Sequence, residues 1–108
     1  MTAFYEHRQY KVLPGKMDEW VKIMEEEIIP FQVAKGMVIV GSFVDEQDPN
    51  RYVWMRRFVD EAERVRLYEA VYQSDHWKNT LAARNPSMIV RETIQVTRLT
   101  PTAKSVLQ

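Results

Sequence analysis

Hydrophobic positions along the chain switch between a two-residue and a three-to-four-residue spacing. Between Phe4 and Val12, the residues Phe4, Tyr10 and Val12 fall on alternating positions, as in a strand, and Leu13-Pro14-Gly15 then supplies a turn. From Lys16 to Ala34, Met17, Trp20, Val21, Met24, Ile28 and Phe31 recur on one helical face. Pro30 has no amide hydrogen and its ring crowds the carbonyl four residues back, which predicts a kink or break near Ile29, and Gly36 is a C-terminal cap. Met37 to Val44 and Arg51 to Phe58 are β-rich runs separated by the polar turn Asp45 to Asn50, and together they predict a hairpin. Asp60 followed by Glu63 has the make-up of a capping box and opens a second helix with the stripe Leu67, Tyr68, Val71 and Tyr72. Ser74 then caps a short third helix that carries Trp77 and Leu81 and ends before Asn85-Pro86. A last strand runs from Met88 to Leu99, and the tail beyond Pro101 is expected to fray unless a partner captures it.

The order strand-helix-strand-strand-helix-strand predicts an α+β domain of the ferredoxin-like βαββαβ type, with an antiparallel sheet covered by helices on one face. No repeat, low-complexity tract or linker interrupts it, so residues 1–108 form one domain. The other face of the sheet is left uncovered. Tyr52, Trp54 and Phe58 share one parity, and on that face they would make a large apolar patch, for which a second copy is the simplest cover. A homodimer is therefore expected.

Composition narrows the function. With 15 basic and 15 acidic residues the formal net charge is zero, which argues against nucleic acid or an anionic membrane as partner. The chain has no cysteine, which excludes disulfides, thiolate metal sites and a cysteine nucleophile. Met1 to Arg8 lack an apolar signal core and no 18-residue apolar run is present, so a cytoplasmic location is expected. Glu25, Glu26 and Glu27 point in three directions on a helix and make a solvated face rather than a metal site. No phosphate loop, dinucleotide fingerprint or nucleophile elbow occurs, and no cofactor is expected.

A few residues carry candidate chemistry. The imidazole of His76 titrates near neutral pH and can act as a base toward a phenol or an activated methylene; alternatively it sits exposed and idle on its short helix. His7 reads as a structural or surface residue. Glu6, Arg8 and Tyr10 share one face of the first strand and can bind an anionic or phenolic ligand, whereas a plain Glu6–Arg8 ion pair is the simpler use of the same charges. Tyr10 and Tyr72 are either catalytic phenols or core aromatics with satisfied hydroxyls.

The segments Tyr5-Glu6-His7-Arg8-Gln9-Tyr10 with Pro14-Gly15, Gly36-Met37-Val38, and Tyr52-Val53-Trp54-Met55-Arg56-Arg57-Phe58 leading into Asp60 to Arg64 resemble the NIPSNAP family. The likeness covers Phe4 to about Leu99 and implies a dimeric α+β barrel, in which two ferredoxin-like sheets face each other. Heme-degrading monooxygenases of that broader group use an Asn, a Trp and a His at positions that fall here on Arg8, about Val59 and about Leu81, and none matches. Heme sequestration without degradation would need an axial imidazole from His7 or His76. Plant-type polyketide cyclases match in part: their late His falls on His76, their early one near Glu6, and their Tyr near Ala70, with Tyr68 and Tyr72 close by. Quinone-forming antibiotic-biosynthesis monooxygenases, which need no cofactor, present no short motif to compare.

These residues are compatible with two readings. In one, a homodimer binds a small aromatic or polyketide-like molecule and acts on it as a cofactor-free cyclase or monooxygenase, with His76 as base, Tyr72 as its partner, Arg8 as anion anchor and Tyr10 beside them. This reading requires a pocket of roughly 300 Å³ or more in which His76 and Arg8 converge. In the other, the protein is a noncatalytic dimeric accessory or stress-linked binding protein.

Overall fold

Strands β1 (Phe4–Lys11), β2 (Val38–Val44), β3 (Arg51–Phe58) and β4 (Gln95–Leu99) form one antiparallel sheet in the order β2-β3-β1-β4. The computed structural model describes residues 3–108; Met1 and Thr2, part of the stretch judged to lack a signal core, lie outside the described residues. This is the expected ferredoxin-like architecture. Among the described residues no helix is long and apolar enough to cross a membrane.

The first helix runs through Pro30. Helix α1 (Met17–Ile23) passes into a π turn at Met24–Ile28 and on into α2 (Ile29–Ala34), with the Ile29 amide bonded to the Met24 carbonyl. The irregularity expected near Ile29 is thus a wide turn rather than a break, and Pro30 falls in the first turn of α2, where a missing amide hydrogen costs least. Gly36 ends the helix at φ +110°, and the Met37 amide returns to the Gln32 carbonyl at 3.0 Å.

The β1–β3 register pairs Phe4 with Phe58, Glu6 with Arg56, Arg8 with Trp54 and Tyr10 with Tyr52. This parity faces the helices. Trp20, Met24 and Ile28 pack on Tyr10, Tyr52 and Trp54, while Leu67 and Val71 of α3 (Glu61–Tyr72) pack on Phe4, Met37 and Phe58. The expectation that Tyr52, Trp54 and Phe58 lie on the uncovered face is therefore corrected: all three are fully buried, because the helical stripes need the large aromatic parity of β3 as their floor. The open face instead carries Val38, Phe43, Val53 and Met55, of which Val38 and Phe43 are exposed.

Other elements depart from expectation toward the C-terminus. Asp60 Oδ1 accepts from the Glu63 amide at 2.8 Å, and the Glu63 carboxylate accepts from the Val59 amide at 3.0 Å, one residue before the usual donor of a capping box. Ser74 Oγ accepts from the Trp77 amide as expected, but the chain continues as a π turn (Trp77–Leu81) and a 3₁₀ stretch (Ala82–Ser87) that runs through Pro86. The last strand is short. Met88 to Ile94 offer only a bridge from Ile89 to Val12 and a 3₁₀ turn at Arg91–Thr93, where the Thr93 amide and hydroxyl both bond to the Val90 carbonyl and draw it out of the ladder. The tail folds back across the chain's own open sheet face: Tyr5 Oη and Arg57 Nε donate to the Gln108 carbonyl at 2.9 and 2.6 Å, and Pro101 and Leu107 lie beside Met55 and Leu99.

Gly36 and Gly15 provide a test of the helix end. Both have positive φ, but a Cβ at Gly36 would sit 3.3 Å from Leu67 Cδ2, whereas one at Gly15 meets nothing within 4 Å. Gly15→Ala should cost about 1–2 kcal/mol in urea unfolding, and Gly36→Ala should cost more. Equal losses would show that Leu67 does not press on the turn.

Candidate functional site

Arg56 stands in the middle of β3 on the helix face with no solvent exposure. Its Nη2 donates to Glu6 Oε1 at 2.7 Å and to Tyr68 Oη at 2.9 Å, and its Nη1 donates to Tyr72 Oη at 2.6 Å and Gln32 Oε1 at 2.9 Å. The Tyr68 hydroxyl donates in turn to Glu6 Oε2 at 2.6 Å. Local structure makes this possible: Glu6 and Arg56 are cross-strand neighbours, and Tyr68 and Tyr72 lie one helical turn apart on α3. The rings of Trp54, Phe58, Tyr68 and Tyr72 surround the guanidinium at 4.9–5.8 Å from their centroids. Burial pushes the Tyr68 phenol up to about 12, so it remains a neutral donor at physiological pH. Burial by itself would lower Arg56, but the neighbouring phenols and Glu6 outweigh it and hold the group above its ordinary value.

Arg8 lies next to Trp54 on the same face, with its side chain 14% exposed. Its Nε donates to Tyr10 Oη at 3.0 Å and its Nη1 to Tyr68 Oη at 3.4 Å, while the nearest Glu6 oxygen is 3.9 Å away. The expected Glu6–Arg8 pair is thus present but long, and it is secondary to Glu6–Arg56, because Arg56 is the direct cross-strand neighbour and is the more deeply buried of the two cations. Two guanidiniums share one carboxylate, which leaves one positive charge in excess on this face. Burial works to lower Arg8 as well, yet Tyr10 and Tyr72 more than offset it, and it stays cationic.

Beside Arg8 a partly open cavity of about 130 Å³ lies between sheet and helices. Tyr10 and Tyr72 line it, together with Trp20, Trp54, Trp77 and Asn85. Three buried polar atoms of these residues have no partner: Trp20 Nε1, Trp54 Nε1 and Asn85 Oδ1. A larger and more open depression of about 490 Å³, with Gln9, Lys11, Asp48, Arg51, Thr93 and Gln95 on its walls, contains no such orphaned group. The smaller cavity, which gathers Arg8, Tyr10 and Tyr72, is the better candidate.

Of the residues singled out in the sequence, Arg8, Tyr10 and Tyr72 meet around this cavity and His76 does not. His76 is exposed and rests its ring on Phe31 with the centroids 5.0 Å apart. Trp77, one position further on, takes the inward place, since successive helical residues point about 100° apart. The cavity is also smaller than the roughly 300 Å³ that the catalytic reading requires. His7 is on the open face, paired with Met55 and Thr97. Sequence reasoning missed Arg56 as the organiser of the site, although a lone charge within the apolar series Tyr52, Trp54, Phe58 was the available signal. Nothing local marked Trp20, Trp54 and Asn85 as a set.

The NIPSNAP family model matches residues 5–104. Among solved structures, a NIPSNAP family protein from Agrobacterium tumefaciens is 26% identical, with 99% of this chain and 92% of that chain covered and a TM-score of 0.86. A NIPSNAP-like domain protein from Burkholderia xenovorans, described as uncharacterised, is 23% identical over 96% of this chain and 89% of that one, again at 0.86. A second A. tumefaciens NIPSNAP family protein, of unknown function, is 24% identical over 99% and 95% at 0.86. Comparison with functionally curated proteins gives no match.

Removing one partner of the buried pair should be far worse than removing both. Glu6→Leu alone leaves Arg56 uncompensated and should cost about 3–5 kcal/mol in urea unfolding, whereas Glu6→Leu with Arg56→Met should recover much of that loss. A double variant less stable than Glu6→Leu would refute the pairing as the dominant interaction of Arg56.

Proposed function

Because the chain belongs to the NIPSNAP family, whose solved relatives bring no reaction with them, we propose a function from its own cavity: a homodimer that binds a small anionic molecule between sheet and helices. Arg8 is the anion anchor, with Tyr10 and Tyr72 as phenolic walls. The observation that carries this reading is the charge balance of the buried cluster, in which Glu6 is engaged by Arg56 and Tyr68 and Arg8 has only phenols as close partners. A largely buried guanidinium whose only carboxylate is distant, and shared with a second cation, favours an anionic guest, and its planar fork suits one with two oxygens.

Binding is better supported than turnover. Cyclase or monooxygenase chemistry on an aromatic or polyketide-like substrate needs a base within reach of the bound molecule. Among the described residues that line the cavity there is neither a carboxylate nor an imidazole, and His76 is turned away. A cavity of about 150 Å³ can hold a benzene ring, so this one is too small for a fused polyketide. The reading is thus close to that of a noncatalytic binding protein.

The homodimer rests on the exposed side of the sheet. Val38 and Phe43 are about half exposed there beside Val53 and Met55, although the tail shields the part nearest Tyr5. Sedimentation velocity should give a dimer for the natural chain and a monomer for Phe43→Asp; a natural chain that sediments as a monomer at tens of micromolar would rule the dimer out.

Thermal melting in the presence of small carboxylates and phenolates tests the site itself. At least one such anion should raise the midpoint in a saturable manner, and Arg8→Gln should abolish the rise while shifting the unliganded midpoint by only a few degrees. No rise with any anion, or the same rise in Arg8→Gln, would defeat the proposal.

A further inference from the structure

We infer that the cavity beside Arg8 takes a short dicarboxylate of about four or five carbons, with one carboxylate on Arg8 and the other on Arg91 at the cavity's open end. This class of ligand rests on the anion-binding reading above and deepens it. Three features carry it: a second guanidinium on the cavity wall, the separation of the two cations, and the apolar wall they share.

Arg91 is exposed and yet lines the cavity, so it stands where the cavity meets solvent. Among the described residues no carboxylate pairs with it. Arg8 lies deeper. Its Nε is taken by Tyr10, and its Nη1 makes only long contacts with Tyr68 and Glu6. Its Nη2 has no acceptor among the described residues and is not sealed from solvent, so an occupant of the cavity can reach it. The cavity thus has one cation inside and one at its opening, and none of its described lining residues is a carboxylate. A monoanion on Arg8 leaves Arg91 unanswered, whereas a ligand with two charged ends meets both.

The two cations reach the cavity from different places. The Val90 amide bonds to the Lys11 carbonyl at 2.9 Å, so Arg91 leaves the backbone beside Lys11, three residues along β1 from Arg8. At the rise of a strand that is about 10 Å. Like charges also repel, and no acid on the cavity wall draws these two together. A compact dianion such as sulfate therefore meets one guanidinium, while two carboxylates on a short chain span both. Met24, Ile28 and Ile89 make an apolar wall that suits methylene groups. Size limits the chain. A cavity of about 150 Å³ can hold a benzene ring, so one of about 130 Å³ has room for about six non-hydrogen atoms. One carboxylate with about two or three methylene groups fills that space, and the second carboxylate emerges beside Arg91, where it keeps part of its hydration.

Isothermal titration calorimetry of the full chain with succinate, glutarate, butyrate, oxalate and sulfate, at one fixed ionic strength, tests this. Succinate or glutarate should bind about tenfold or more tightly than butyrate, which has the chain and only one carboxylate, and than oxalate or sulfate, which have both charges without the span. Arg91→Gln should erase most of that preference, and because Arg91 is exposed and unpaired the replacement should hardly move the unliganded melting midpoint. If butyrate binds as well as the dicarboxylates, or the preference survives in Arg91→Gln, the assignment of the ligand is wrong while the anion site stands. If oxalate or sulfate binds as tightly as succinate, the two cations act at one point and the two-ended ligand is again wrong. If none of the five binds but a phenolate or a larger carboxylate raises the melting midpoint through Arg8, the ligand assignment fails alone. If no anion binds at all, both readings fall.

Discussion

A guanidinium with no access to water occupies the centre of the sheet's helix face, and its neighbours are arranged to keep it charged. Arg56 draws on all the layers around it: Glu6 from the adjacent strand, Gln32 from the first helix, Tyr68 and Tyr72 from α3. An isolated buried charge is costly, and the same interactions that offset the cost also bind helices to sheet in one relative position. A hydrophobic core is tolerant of sliding; a fan of directional hydrogen bonds is not. The Glu6–Arg56 pair therefore sets the geometry on which the nearby cavity depends.

The same pair determines the character of Arg8. One carboxylate serves two cations unequally, at 2.7 Å from Arg56 and 3.9 Å from Arg8. Phenols complete the arrangement on both sides, with Tyr72 held by Arg56 and Tyr10 by Arg8. Cavity walls that are hydrogen-bonded to buried cations cannot easily change rotamer, so the site is organised in advance of any guest, which favours affinity for a ligand of few atoms.

Most of the fold was legible in the sequence, since each element announces itself by period and punctuation: alternation in β1, the long 3.6-residue stripe from Met17, Asp60 and Ser74 as caps, Gly36 as a stop. The features that were not legible depend on partners distant in sequence. Alternation shows that Tyr52, Trp54 and Phe58 share a side but not which side the helices choose. Val90 to Thr93 have strand-like composition, yet a local hydrogen bond from Thr93 competes with pairing and shortens β4. Around the cavity, Arg8 and Tyr10 were recoverable from residue type and shared strand face, and Tyr72 from the stripe of α3. His76 was misplaced by a single helical position, the difference between facing a cavity and facing water. Asn85 and the two indoles converge only through the fold, so no spacing in the chain could reveal them.

The π turn before Pro30 has a geometric use. Trp20, Met24, Ile28 and Gln32 are all fully buried, and they are spaced by steps of four residues. In an unbroken α-helix each such step overshoots a full revolution by about 40°, so three of them would swing Gln32 about 120° away from the direction of Trp20. A wider turn in the middle takes back part of that rotation. The helix can thus send Trp20 to the cavity at one end and the Gln32 amide to Arg56 at the other, and a residue added or removed within Met24–Ile28 would uncouple the two ends by turning one of them out of phase.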